Sequence, residues 1–446
     1  MISEPSRPLE QVSLSEAFWY WLKLGFISFG GPAGQISMMH QELVEKRRWI
    51  SERRFLHALN YTMVLPGPEA QQLATYIGWL MHGVKGGIIA GVLFVLPSLF
   101  ILIALTWTYL AYNDVTVVSG ILYGVKPAVT AIVAFAAYRI GSRVLTNTTL
   151  RAIAVLAFIA IFIVDIPFPY IVLGAGLIGY LGSRWAPLQF RSGAHHASAE
   201  QSYGPAIIDD DTPIPEHARF NQMRLIMFAG IGLLAWIIVM VFLFMTYGWQ
   251  GTLTQMAWFF TKAALVTFGG AYAVLPYVYQ GGVEHYFWLT APQMIDGLAL
   301  GETTPGPLIM VVAFVGFVGG WTKEVFGPEL LPYAGMAGAV VATFFTFLPS
   351  FLFILIGGPA VEATRHQDKF TAPLTGITAA VVGVILNLAL FFAYHVLWPD
   401  GFDGVFDWWS LVIGLLAFIA LIRYKLSILL VIASSAGIGL LIALFT

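Results

Sequence analysis

The chain has 446 residues, of which 58% are hydrophobic and 10% charged, with a formal net charge of −2. Soluble domains carry about 25% charged residues, so this composition, with a mean hydropathy of +0.80, excludes a water-soluble globular fold. The absence of cysteine excludes disulfides and thiolate metal sites, and the balanced charge gives no reason to expect a nucleic-acid partner.

Residues 1–16 are polar, without an apolar stretch or a cleavage site, so no signal peptide is expected. Apolar segments follow near 17–36, 53–82, 86–111, 118–140, 150–165 and 168–185. A polar stretch over about 186–222 contains Asp209, Asp210, Asp211 and several prolines, and reads as a mobile linker. Seven more segments lie near 224–247, 251–271, 293–321, 334–358, 372–397, 405–422 and 426–445. Runs such as 87–110 exceed the roughly 18 apolar residues of a spanning helix. Backbone in lipid must satisfy itself internally, so the spans are expected to be helices.

The chain repeats itself at a shift of 239 residues. Phe29-Gly30-Gly31 falls on Phe268-Gly269-Gly270, Trp49 on Trp288, and Pro66-Gly67-Pro68 on Pro305-Gly306-Pro307. Lys23, Gln41 and Glu45 fall on Lys262, Gln280 and Glu284. Leu96-Pro97-Ser98 meets Leu348-Pro349-Ser350 at a shift of 252, with the extra residues accommodated near 323–334. The expected organisation is a first repeat at 12–185, a linker at 186–223, a connecting helix at 224–247 and a second repeat at 250–445.

Basic loops change places between the repeats. Residues 46–54 hold Lys46, Arg47, Arg48, Arg53 and Arg54, while 285–293 hold no Lys or Arg. Arg139, Arg143 and Arg151 face counterparts Asp400, Asp403 and Asp407. Conversely, Arg365 with Lys369, and Arg423 with Lys425, stand where the first repeat has Asp114 and Asp165. Since Lys and Arg favour cytoplasmic loops, the expectation is an all-α polytopic membrane protein of two inverted-topology repeats, with 46–54 cytoplasmic. Two basic loops on one side are incompatible with three full spans between them. Residues 17–36 and 53–82 are therefore read either as re-entrant hairpins or, in the rival reading, as part of thirteen full crossings.

Pro-Gly-Pro in an apolar segment blocks the helix and begins a new one, and paired broken segments point to a transporter site. The free N–H groups of a helix N-terminus favour anions. Pro66, Gly67, Pro68, Glu69, Gln71 and Gln72, with Thr303, Thr304, Pro305, Gly306 and Pro307, are thus candidate ligand-binding positions. Gly30, Gly31, Gly269 and Gly270 form a second symmetric break. Lys23 and Lys262, both among aromatic residues, are candidate cations for an anion, with snorkelling as the competing reading. Glu69 and Glu302 are candidate proton carriers; His57 and Asn60 lie nearby in sequence. Pro97 and Pro349 read as packing prolines. Residues 41–54 read as an amphipathic stretch on anionic lipid. No Walker sequence, serine elbow or zinc-type histidine pair is present, so no cofactor, metal or enzymatic activity is expected.

These motifs resemble the chromate ion transporter family, whose long members carry two copies of one domain. The resemblance runs over about 12–180 and 250–445. It rests most on Phe29-Gly30-Gly31-Pro32 and on Pro66-Gly67-Pro68 followed by Leu73-Ala74-Thr75-Tyr76-Ile77-Gly78 and Pro97. The second copy departs from it, with Ala271 where the first has Pro32 and no Tyr-Ile-Gly run. The resemblance implies export of chromate, or of a sulfate-like oxyanion, across the bacterial inner membrane by a multi-pass secondary transporter. A passive anion channel, or a carrier of another oxyanion such as sulfate, is the alternative. The partners expected are the anion and the lipid bilayer; a homodimer is left open, as are the coupling ion and the transport direction.

Overall fold

The computed structural model describes residues 12–29, 31–112, 115–186, 189–190, 203–213, 215–268, 270–363 and 371–445. Among the described residues there is no β-strand, only an isolated bridge between Ile50 and Ile208. The first repeat contains α1 (Leu14–Ile27), α2 (Gly31–His40), α3 (Glu52–Val64), α4 (Glu69–Tyr112), α5 (Thr116–Val144), α6 (Thr148–Phe162) and α7 (Phe168–Trp185). A connecting α8 (Gln222–Tyr247) follows. The second contains α9 (Thr252–Val266), α10 (Ala271–Tyr279), α11 (Ala291–Thr303), α12 (Val311–Thr322), α13 (Leu331–Ala363), α14 (Thr371–Leu397), α15 (Trp408–Arg423) and α16 (Ile428–Phe445).

The two series correspond helix for helix, with α12 and α13 matching the two stretches of α4. The correspondence reaches irregular features as well. A π-helical turn follows α2 at Gln41–Lys46 and α10 at Gln280–His285. Arg48 and Phe287, again 239 residues apart, both take left-handed φ values of 54° and 53°. An irregular backbone conformation that recurs at the same place in both halves reflects a shared structural unit rather than chance.

Thirteen full crossings do not fit this geometry. At 1.5 Å per residue, the 14 residues of α1 and the 13 of α3 span about 20 Å, short of the ~30 Å hydrocarbon core. The 44-residue α4 is two helices, since His82 and Gly83 leave helical geometry and Gly83 sits at φ +65°, ψ −155°, a combination suited to glycine alone. Beyond this reversal the two stretches pack antiparallel through small residues. A Cβ at Gly78 would lie 2.6 Å from the Gly86 carbonyl and the Ala90 methyl, the close approach typical of helix pairs in lipid.

Contacts fix which ends meet. Ile207 and Ile208 donate to the Arg48 and Trp49 carbonyls at 3.0 Å, and Ser51 donates back to Ile208. His217 Nε2 lies 2.8 Å from the Trp79 carbonyl, and the His82 ring reaches the Val12 carbonyl. The start of α1, the start of α3 and the reversal at residues 82–83 therefore share one end of the bundle, the basic end. Residues 53–82 enter and leave on that end as a hairpin. At the opposite end, Phe168 donates to Gln280 Oε1 at 3.2 Å, which places the turn leading into α11 there.

The described part of the linker is docked rather than mobile. Ser51 donates to Asp210, and Arg54 donates to the carbonyls of Asp209 and Thr212. The basic loop that faces the aspartates supplies the reason. The loop residues Asp114, Arg365 and Lys369 lie outside the described residues. Elsewhere the halves interlock through small residues: Gly124 of α5 against Gly439 of α16, Gly179 of α7 against Pro373 of α14, and Gly383 of α14 against Ala154 of α6. α8 buries only Gly232, Met240 and Leu243 and keeps a broad apolar face outward.

Single cysteines in this Cys-free chain test the arrangement. Arg53→Cys and Lys85→Cys should be labelled by a membrane-impermeant maleimide from one side of the membrane, and His285→Cys from the other. Labelling of positions 53 and 85 from opposite sides would make 53–82 a full crossing.

Candidate functional site

Each Pro-Gly-Pro break meets the other half, at the end of that half's first helix. Gly67 N–H donates to the Thr267 carbonyl at 2.8 Å, and Gly306 N–H donates to the Ser28 carbonyl at 2.8 Å. Donors and acceptors are each 239 residues apart, so the two bonds join equivalent positions of the repeats in a reciprocal exchange. Ser28 and Thr267 end α1 and α9, and each returns its hydroxyl to its own helix, at Leu24 and Ala263. A proline on either side leaves each turn with one backbone donor. In apolar surroundings that donor needs a partner, and the other half supplies it.

Gly67 and Gly306 hold φ of +126° and +106°, a region that disfavours any residue with a Cβ. Space excludes one as well. A Cβ on Gly67 would lie 2.5 Å from Ser350 Oγ and 2.6 Å from Gln72 Nε2, and one on Gly306 would lie 2.7 Å from Ser98 Cβ. The long helices α4 and α13 thus cross at the turns, carrying Leu96-Pro97-Ser98 and Leu348-Pro349-Ser350 with them. After each turn a helix begins, at Glu69 and at the 3-10 turn Leu308–Met310 leading into α12. The first N–H groups of these helices have no intrahelical acceptor, and their dipole ends point back at the turns.

Polar side chains surround the junction. Gln71 and Gln72 are fully buried; Gln72 donates to the Pro66 carbonyl at 2.8 Å and Gln71 to Thr75 Oγ1 at 3.0 Å. Gln35, on α2, donates to the Gly306 carbonyl at 2.6 Å and to the Ser28 carbonyl at 3.3 Å, so it spans both halves. Its counterpart is Val274, and without symmetry the repeat gave no signal for it. Glu69 is half-buried at the start of α4. Glu302 is buried and accepts a hydrogen bond from Tyr272 of α10. Thr303 and Thr304 spend their hydroxyls on their own helix, at the Ala299, Leu300 and Gly301 carbonyls, and so do not offer them to a ligand here. Asn60 is exposed, and His57 is half-buried on α3.

Gly31 and Gly270 take φ of +70° and +94°, and a Cβ on either would meet nothing within 4 Å; conformation, not space, calls for glycine there. Gly30 and Gly269 lie outside the described residues. The lysines are not brought to the turns. α1 packs inward through Ala17, Tyr20, Trp21, Leu24 and Ser28, which leaves Lys23 on the opposite face, where it is exposed. It lines a cavity of about 150 Å³ with Gln41, Glu42, Lys46 and Arg47. Arg47 and Lys46 pair with Glu42 at 2.9 and 3.2 Å and hold its carboxyl below the usual range. Lys262 sits half-buried on the equivalent face of α9, its Nζ 5.7 Å from the Trp258 ring centroid. Outward placement at equivalent positions is the snorkelling geometry.

Two further polar contacts were not visible in the sequence. At the basic end, buried Arg54 of α3 donates to Glu362 of α13 at 2.7 Å, and Tyr76 donates to the same carboxylate. At the opposite end, Tyr109 of α4 donates to Asp296 of α11 at 3.0 Å, with Lys126 Nζ 3.6 Å away. α3 and α11 are counterparts, as are the far ends of α13 and α4. Each half's hairpin is therefore tied to the long helix of the other half, once at each end of the bundle.

The sequence profile of the family described as Chromate transporter matches residues 15–180 and 254–440. A chromate transport protein of Pseudomonas aeruginosa is 33% identical over 441 residues, covering 97% of this chain and 93% of its own. A chromate transport protein of Cupriavidus metallidurans is 29% identical, covering 96% and 93%. A probable chromate transport protein of Synechococcus elongatus is 30% identical, covering 96% and 95%. No solved structure matches the chain. With both repeats matched by one profile and relatives aligned end to end, the chain belongs to the chromate transporter family.

Proposed function

We propose that this chain is a secondary transporter that exports chromate, or a sulfate-like oxyanion, across the bacterial inner membrane by alternating access. The observation that carries the proposal is the reciprocal bonding of each Pro-Gly-Pro turn to the end of the other half's first helix. Each broken helix begins at a turn bonded to the other half, and each turn lies partway along one of the long spans, Gly67 beside Ser350 of α13 and Gly306 beside Ser98 of α4. Secondary transporters place their substrate sites in this position, and helix N-termini suit an anion. The relatives' chromate names supply the substrate class; sulfate shares its tetrahedral shape and double charge.

The ties at the two ends supply the moving parts. For alternating access the site opens to one side while the other stays closed. The Arg54–Glu362–Tyr76 and Lys126–Asp296–Tyr109 clusters are placed to hold the basic and opposite ends shut. Both form in this structure, which supports an occluded state. In this reading the basic end is cytoplasmic, and Glu69 and Glu302, beside the turns, are the carboxylates available for proton coupling. Moderate binding by dipoles and neutral groups allows release, which an arginine clamp at the site would hinder.

Everted vesicles carrying the protein should accumulate chromate, and an imposed pH gradient should change the rate; uptake indifferent to the gradient would remove proton coupling, and linear, unsaturable flux would favour the channel. Gly67→Ala and Gly306→Ala should each cut transport roughly tenfold or more, because a non-glycine residue in a left-handed conformation costs about 1–2 kcal/mol and the turn must also shift away from its serine. Lys23→Met and Lys262→Met should retain most of the activity. A larger loss from the lysine variants than from the glycine variants would move the site to the outer cavity. Glu362→Gln should leave protein in the membrane, since the Tyr76 bond survives, yet slow transport several-fold by weakening closure at one end; wild-type rates would deny that contact a gating role.

A further inference from the structure

Among the described residues, a few buried side-chain atoms around the turns have no hydrogen-bond partner. Two of them are the hydroxyls of Ser98 and Ser350. Both serines are 1% exposed, at equivalent positions of α4 and α13. Other buried hydroxyls on the same helices behave differently. Thr106 and Thr346 donate to the Leu102 and Ala342 carbonyls four residues back, at 2.6 and 2.7 Å, the ordinary way a hydroxyl satisfies itself within a helix. Ser98 and Ser350 each follow a proline, and each is turned to the Pro-Gly-Pro glycine of the other half. Ser350 Oγ lies 2.5 Å from where a Cβ would stand on Gly67, and Ser98 Oγ lies 3.1 Å from the equivalent point on Gly306.

An unpaired buried hydroxyl carries a desolvation cost. Two occur at equivalent places, each beside a turn from which a new helix begins. We infer that Ser98 and Ser350 are direct ligands of the transported anion, each donating one hydrogen bond to an oxygen of a tetrahedral oxyanion that enters as each turn moves away from its serine, since the closed packing here has no room even for a Cβ on either glycine. This rests on the transport reading above and deepens it. The buried side-chain oxygens of Gln35, Gln71 and Gln72 are also unpartnered. Their NH₂ groups are held by the Ser28, Gly306 and Pro66 carbonyls and by Thr75 Oγ1, so the donors free for the anion are the two serine hydroxyls, one from each half.

Equilibrium dialysis of the purified full-length protein with radiolabelled chromate tests the assignment independently of flux. Ser98→Ala and Ser350→Ala should each raise the dissociation constant about tenfold to a hundredfold, the range for a hydrogen bond to a charged group, and the double variant more than either. Thr106→Ala and Thr346→Ala remove hydroxyls already satisfied in their helices and should bind as wild type does, which controls for helix damage. Ser98 and Ser350 variants that bind chromate as tightly as wild type overturn the assignment while leaving the transport reading intact. Equal weakening in the threonine controls overturns it too. Wild-type protein that binds no chromate overturns both.

Discussion

The structure turns on one requirement: a backbone donor exposed by a broken helix inside the membrane must find an acceptor. Each Pro-Gly-Pro turn has a single N–H to place, and each places it on the carbonyl that ends the first helix of the other repeat. Neither half satisfies itself at this point. That mutual dependence explains why the break recurs in both repeats, why glycine occupies its centre, and why the helices on either side are too short to cross. The energy that a continuous helix would hold in its own ladder is held here between the halves, where relative movement can release it.

The outer ties have a different energetic character. Arg54 and Glu362 are both buried, with their remaining polar atoms directed to Tyr76 and to linker carbonyls. Such a pair is not a strong source of stability, because desolvation offsets the attraction, but losing one partner costs about 3–5 kcal/mol. A contact nearly neutral in sum and costly to leave half-made suits a closure that must both form and separate. The opposite end uses a looser version, a carboxylate shared by a tyrosine and a more distant lysine. The halves are symmetric in where they are tied and unequal in how tightly.

Much of this was legible in the sequence. The 239-residue register and the paired Pro-Gly-Pro motifs are local patterns, and each has a direct counterpart in the helices. What the sequence left open were relations between distant residues. Lys23 and Lys262 stood out because charge in an apolar run is unusual, yet helical phase carries them off the packed face, to the outside. Gln35, Arg54 and Glu362 matter through contacts across as many as 308 positions, and their counterparts in the other repeat are different residues, so the repeat could not point to them. Ser98 and Ser350 were in register from the start, but beside a proline they read as part of a packing motif. Only their missing partners set them apart. The linker's aspartates read as solvated until the basic loop they cover was seen beside them.

An experimental density map of the protein with chromate bound tests the central claim most directly. The account predicts the anion's density between Gly67 and Gly306, within hydrogen-bonding reach of the N-termini at Glu69 and Leu308 and of the Ser98 and Ser350 hydroxyls. Density instead in the outer cavity beside Lys23, Lys46 and Arg47, with Gly67 and Gly306 still bonded to the Thr267 and Ser28 carbonyls, would contradict it.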